Sequence, residues 1–349
     1  MSSPPPNVSG SPEQPAETTN DAMNPVSPDR NFSAYDVFFG PDGLRAVWGI
    51  LIFVALREAF VAYVYPLVQT VFASPFGRGG LLPPREMLVY EGAGLFCVGL
   101  ATWLMAKIER RPTSVYGFGR QRGIGNFCAG LGWGVVLLSL LIVLLRVGGL
   151  LVFDARMLVG SSAFHYGLIW LGGFLLVGLM EETLSRGYLQ FTLTRLLSAI
   201  YRRLFGASRA NMLGFWTAAL ILSFAFGFGH RSNPGESPLG LLSAGVAGLL
   251  FCLSLWRTGS LWWAIGFHAS WDWAQSFLYG VADSGLMAQG HLYATHPVGR
   301  PILSGGLTGP EGSVLMLPVM AVGAVVILFT LPRTHLGYMP ANAPEASLN

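Results

Sequence analysis

The chain has 349 residues, 52% of them hydrophobic and only 11% charged, with a formal net charge of +3. Soluble domains carry roughly 25% charged residues. The 21 basic and 18 acidic side chains cannot solvate a surface of this size when apolar residues arrive in runs of about 20. Intrinsic disorder of the whole, a nucleic-acid groove and a secreted disulfide scaffold are thereby excluded, and the chain belongs in a lipid bilayer.

Residues 1–33 are rich in Pro, Ser, Asn and acidic side chains. Such a segment cannot offset its ordering entropy, so a mobile tail is expected, extending to about residue 40. It lacks a basic stretch followed by an apolar one and does not read as a cleaved signal peptide. From Ala46 onward eight apolar stretches recur, at about 46–72, 87–106, 125–147, 164–182, 211–230, 239–256, 260–280 and 313–332, each near the 20 or so residues a hydrocarbon core requires. The expected fold is an all-α polytopic membrane bundle of about eight transmembrane helices around a polar cavity. Its divisions are a tail at 1–40, N-terminal helices at 41–160, a catalytic core at 161–285, and a loop, last helix and C-terminal tail at 286–349.

Basic residues set the expected orientation. The 106–124 loop holds Lys107, Arg110, Arg111, Arg120 and Arg122, and the 183–210 loop holds Arg186, Arg195, Arg202, Arg203 and Arg209. Loops of the opposite side hold Arg78 and Arg85, Arg146 and Arg156, then Arg231 and Arg300 singly. Both termini are therefore expected in the cytoplasm. Cys97, Cys128 and Cys252 fall inside spans without CxxC spacing and read as small core residues.

Ionisable side chains inside spans are costly and by default mark a function. Three clusters stand out. In Glu181-Glu182-Thr-Leu-Ser-Arg186, Glu182 and Arg186 share a helix face, whereas Glu181 is rotated about 100° away and free for other work. A charged helix end at the interface is the plainer alternative. Phe226-Gly-Phe-Gly-His230 closes an apolar span, with Phe226 and His230 on one face. A lone histidine there also suits a satisfied interface residue. His268-Ala-Ser-Trp-Asp272 puts an imidazole and a carboxylate on one face inside a span, where two apolar residues would cost far less. A structural polar bridge is its alternative. Together the clusters suit activation of a water by Glu and His, with polar groups to stabilise an oxyanion. They would also suit a metal held by His, although no HExxH occurs.

These motifs, EExxxR at Glu181–Arg186, FxxxH at Phe226–His230 and HxxxN/D at His268–Asp272, resemble those of the CAAX prenyl endopeptidase and bacteriocin-processing (CPBP) family over roughly 165–280. The resemblance implies an intramembrane glutamate-type endopeptidase. Glu181 and His230 would activate the water, and His268 and Asp272 would form the oxyanion side. Glu182 and Arg186 would support Glu181 and the helix packing, with Phe226 also supporting. Prenyl-processing members remove the last three residues after a lipidated cysteine; bacterial relatives act on other peptides or serve in immunity. The substrate implied is a peptide or protein, lipidated or not, in the bilayer, with no nucleic acid, in a prokaryotic plasma membrane. Asp272 stands where the prenyl endopeptidases have Asn. An ionised carboxylate cannot donate to an oxyanion, so Asp272 is expected to orient and charge His268, which donates instead.

Read as separate spans, Glu181 and His230 fall at distant helix ends. The expected repair is that the fourth helix continues through Leu184, Leu189, Phe191 and Leu193, sinking the Glu pair to mid-depth. Arg231–Pro238 then becomes a buried or cavity-lining loop, and Glu181, His230 and His268 are expected within about 8 Å of each other, near enough to share one bridging water. Arg57, Glu58 and Glu91 also lie in spans, as entrance residues, lipid contacts or local ion pairs. Trp262 and Trp263 suit an interface belt, and Trp271 a belt or a cavity wall. His165, His291, His296 and His335 take no role. No cofactor is expected, with room left for a divalent metal. A binding or immunity-type protein of the same fold and a proton-coupled transporter are the alternative functions.

Overall fold

The computed structural model describes Met1, Ser3 and residues 34–40, 43–71, 80–119 and 122–332. Most of the expected N-terminal tail, Arg78, Arg120, His335 and everything after 332 lie outside the described residues. After a short helix at Ala34–Phe38, six helices are long and apolar enough to cross a membrane: α1 (Ala46–Val71), α2 (Pro84–Ile108), α3 (Gly123–Val147), α4 (Gly160–Phe205), α5 (Ala207–Gly229) and α6 (Pro238–Thr258). Two shorter apolar helices occupy the remaining expected segments. These are α7 (Trp262–Trp273), continued by a π turn at Ala274–Leu278, and α8 (Met316–Thr330). The protein is a helical membrane bundle with six such spans among the described residues, where the sequence suggested about eight.

Local chemistry sets the helix ends. Pro84 opens α2 at a position whose N–H would have no partner anyway, with Glu86 in its first turn and Lys107 in its last, each matched to the helix dipole. Ser237 caps α6 by accepting from the Gly240 N–H at 3.0 Å, Pro238 follows at the first helical position, and Gly259 (φ +65°) ends the helix. Gly206 (φ +79°) turns α4 back into α5.

Water does not drive helices together inside lipid, so close packing must. The tightest contact is between α3 and α7. A Cβ on Gly130 would lie 2.2 Å from the Trp263 carbonyl oxygen, one on Gly134 2.5 Å from that of Phe267, and one on Gly266 2.3 Å from that of Phe127. These three glycines let the two backbones touch. Trp263 is fully buried in the cluster that α3, α6, α7 and α8 share, so the interface-belt reading fails for it. Trp262 is half-buried against Phe118 and Phe127. The outer surface is apolar, with Tyr63, Val147, Phe224 and Phe329 exposed as lipid contact requires. Cys97 and Cys252 are buried as expected, but Cys128 is exposed on that surface, because its side of α3 faces away from α7.

Among the described residues three two-stranded pairs lie in the connections. β1 (Phe39–Gly40) pairs with β2 (Gly43–Leu44), β3 (Leu81–Leu82) runs parallel to β5 (Met287–Ala288), and β4 (Leu151–Arg156) pairs antiparallel with β6 (Tyr293–Pro297). The last two tie the connection after α7 to distant parts of the chain at the bundle end opposite the Arg-rich loops. At the Arg-rich end, Glu109 accepts from Tyr188 at 2.6 Å and Arg195 at 3.0 Å, fastening the end of α2 to α4.

Candidate active site

α4 has 46 residues, about 69 Å of helix, more than twice a hydrocarbon core. Glu181 and Glu182 sit near its middle, immediately before a π segment at Thr183–Leu189, a widening often found at functional positions. Beyond Glu182 the helix runs for seven π and sixteen α residues, then α5 returns for 23, ending at Gly229. Equal arms bring His230 back to the depth of the Glu pair. The expected continuation of the fourth helix is what happens. The loop that follows is only partly sheltered. Asn233 lines the cavity, whereas Arg231, Ser232, Pro234, Gly235 and Pro238 are exposed. The loop is nonetheless tied down: Thr308 donates to the Gly235 carbonyl at 2.9 Å, and Gly285 N–H donates to the Thr308 carbonyl at 2.9 Å.

Glu181, Phe226, His230, His268 and Asp272, from α4, α5 with its terminal turn and α7, line one cavity of about 560 Å³. The adjacent carboxylates differ sharply in setting, Glu181 being 24% exposed and Glu182 fully buried. Glu182 Oε1 accepts from Arg186 at 3.0 Å and from His268 Nδ1 at 3.0 Å. Glu182 is thus bonded to Arg186, as the i,i+4 spacing suggested, and to His268 from α7. Gly178, one turn before the pair, makes this possible, since a Cβ there would lie 3.1 Å from the Ile265 carbonyl oxygen of α7.

With Nδ1 held by Glu182, His268 turns Nε2 toward Glu181 Oε2 at 3.7 Å and Asp272 Oδ2 at 3.5 Å. Asp272 thus faces the nitrogen that addresses the cavity, and the orienting bond on the far side comes from Glu182. At His230, Nδ1–H donates to the Phe226 carbonyl at 2.8 Å, because a carbonyl can only accept. In the neutral imidazole this leaves the Nε2 lone pair free to accept. Phe226 also joins the three motifs through its ring. Arg186 lies 4.3 Å over it, His230 packs at 5.0 Å between centroids and His268 at 6.3 Å.

The cavity gathers residues that the motif pattern did not include. Asn233, Asp283, Ser284 and Glu311 line it, together with Arg57 and Glu91. Trp271 forms part of its wall. Asp283 accepts from Ser276 at 3.2 Å, and Glu311 accepts from the Ser284 N–H. Burial pushes the Asp283 carboxyl well above its usual range, and neighbouring Asp272 adds to this. Burial and then Asp283 push Glu311 up to about 8. The signal was available in principle, since Asp283 and Glu311 are the two carboxylates of the otherwise Gly- and Ser-rich 279–315 stretch. Arg57 pairs with Glu58, the local ion pair that was one of the expected readings, and also lines the cavity. His291 is engaged by the Ala288 carbonyl at 2.7 Å, and His296 by Asp154 at 2.8 Å, both away from the cavity. Among the described residues no group of three His, Cys, Asp or Glu side chains could hold a metal ion.

Residues 163–274 match the family described as type II CAAX prenyl endopeptidase Rce1-like. The matched stretch is about a third of the chain and contains all three motifs, as the resemblance in the sequence implied. Searches of curated proteins and of solved structures return no match.

Proposed function

We propose that this chain, whose 163–274 core carries the signature of the type II CAAX prenyl endopeptidases, is an intramembrane glutamate-type endopeptidase. The observation that carries the reading is the convergence of Glu181, His230, His268 and Asp272 on one cavity while Glu182 is withdrawn from it. A water between Glu181 and His230 donates one hydrogen to the carboxylate and the other to Nε2, so that a lone pair of the water oxygen faces the scissile carbonyl. Attack forms the new C–O bond as Glu181 takes a proton. The carbonyl electrons move to oxygen, and His268 donates to that oxyanion through Nε2–H. Collapse breaks the C–N bond, and the proton held by Glu181 passes to the leaving amine. Asp272 polarises His268 from the cavity side, 3.5 Å from Nε2. Glu182 and Arg186 hold the far side, and the Phe226 carbonyl holds His230 Nδ1.

The substrate is a peptide or membrane protein entering from the bilayer, lipidated cysteines included, since apolar side chains make up most of the cavity wall. The Lys and Arg residues of the 106–124 loop and of the turn between α4 and α5 (Arg202, Arg203, Arg209) favour cytoplasmic termini, and a prokaryotic plasma membrane is the proposed location. The test is cleavage of a quenched peptide library, S-farnesylated members included, by purified protein in lipid. Turnover is expected for wild type and a loss of at least about 10²-fold for both Glu181→Ala and His230→Ala. Undiminished turnover in either variant overturns the mechanism, and a proton flux without cleavage supports a transporter.

A further inference from the structure

The 163–274 core leaves unexplained why the first membrane helix carries an arginine. Arg57 is the only lysine or arginine among the described residues lining the cavity, against five carboxylates, Glu91, Glu181, Asp272, Asp283 and Glu311. Its Nη1 donates to Glu58, which is 56% exposed on the outer face of α1. Its Nε is buried with no partner. A guanidinium has five donors in a planar fork, so most of Arg57 is unspent.

α1 and α4 run antiparallel. Gly49 faces Tyr188 and Thr192, whereas the Tyr65 hydroxyl reaches Gly94 beside Met180. Phe53 stacks on Tyr188 at 4.2 Å between centroids, and Tyr188 lies two turns past Glu181. Arg57, one turn back from that stack, therefore sits about one turn along the bundle from Glu181, roughly 5 Å, with the width of the cavity to be added. The axial step alone is one to two residues of extended chain at about 3.3 Å each, so the segment beyond the scissile bond is a short one.

We propose that Arg57 binds the terminal α-carboxylate of the substrate, fixing how many residues lie beyond the scissile bond. This rests on the protease reading and deepens it. A peptide ending in the cavity brings a negative charge among carboxylates that repel it, and Arg57 is the one place where a bidentate, charge-assisted pair can form. A lipid phosphate is the other anion with the same chemistry. Arg57, about eleven residues into α1, lies some 16 Å from that helix's start, deep for a headgroup.

The experiment uses the full-length protein in nanodiscs and peptides with an S-farnesyl cysteine followed by two, three, four or six residues, each ending in a free carboxylate or an amide. Wild type is expected to prefer the carboxylate by about 10- to 100-fold in kcat/KM, chiefly through KM, for the short leaving segments and not for the six-residue one. In Arg57→Gln the ratio is expected to fall to about one, and Arg57→Lys should restore part of it, which also reports on folding. An intact ratio in Arg57→Gln overturns the assignment. So does a defect that follows the anionic lipid content of the disc and ignores the peptide terminus. A wild type that cleaves neither peptide removes the protease reading and this assignment with it.

Discussion

Glu181 and Glu182 are neighbours in sequence and opposites in environment. One is 24% exposed to the cavity, and the other is fully buried between Arg186 and His268. The 100° step of a helix separates them, and the distinction was readable in the sequence, because Glu182 has an Arg at i+4 and Glu181 has none. Which histidine Glu182 would meet was not readable, since His268 lies 86 residues away. Under the proposed reaction Asp272 polarises His268 across 3.5 Å. Asp272→Asn is expected to lower kcat by about 10- to 100-fold, as loss of a charge-assisted contact does, and to alter the pH profile of kcat/KM. Full activity with the wild-type profile would contradict the pairing. Arg186 depends in turn on a missing side chain, since a Cβ on Gly248 would lie 2.4 Å from its Nη2. Gly248→Ala is expected to lower activity by displacing the guanidinium that holds Glu182, with wild-type kcat as the contrary result.

Helices and their contacts were legible to different degrees. Apolar runs closed by Pro, Ser and Gly gave α1, α2, α3 and α6 within about three residues of their observed ends. The continuation of α4 past its charged pair was less visible. From Gln190 to Phe205 the helix is amphipathic and rich in arginine, so composition alone reads it as a loop, and only the geometric conflict between Glu181 and His230 called for it. The π turns leave no periodic mark, and the glycine contact of α3 with α7 is a matter of which glycine faces which helix. Gly130 and Gly134 press on α7, whereas Gly132 has open space around it. Gly134→Leu is therefore expected to cost at least about 2 kcal/mol through overpacking and to displace His268 and Asp272. Gly132→Leu should leave both stability and cleavage near wild type. Thermal unfolding in detergent reads this, and equal effects from the two substitutions would contradict the packing.

Across the molecule, the connection after α7 closes the cavity from the side opposite the Arg-rich loops with buried carboxyls. Asp283 and Glu311 both line the cavity and have raised values, each chiefly through burial. A carboxyl held at about 8 when folded and near 4.5 when unfolded binds more protons in the folded state. Its stabilising contribution is complete below about pH 4.5, declines as pH rises toward 8 and is gone above that. The melting temperature should therefore fall between about pH 5 and 8. Glu311→Gln, which keeps an acceptor for the Ser284 N–H, should flatten that fall, while a slope as steep as wild type would contradict the burial of an uncharged Glu311. None of these side chains could be assigned to the cavity from sequence, because Glu311 and Glu181 are 130 residues apart and meet only through folding.

Everything proposed for the chemistry depends on one water held jointly by two groups from different helices. An experimental structure in lipid that resolves ordered water measures this directly. One water is expected within about 2.6–3.2 Å of both the Glu181 carboxylate and His230 Nε2, with Nδ1 still bonded to the Phe226 carbonyl. A His230 ring turned away from the cavity, with no water common to the two residues, would contradict it.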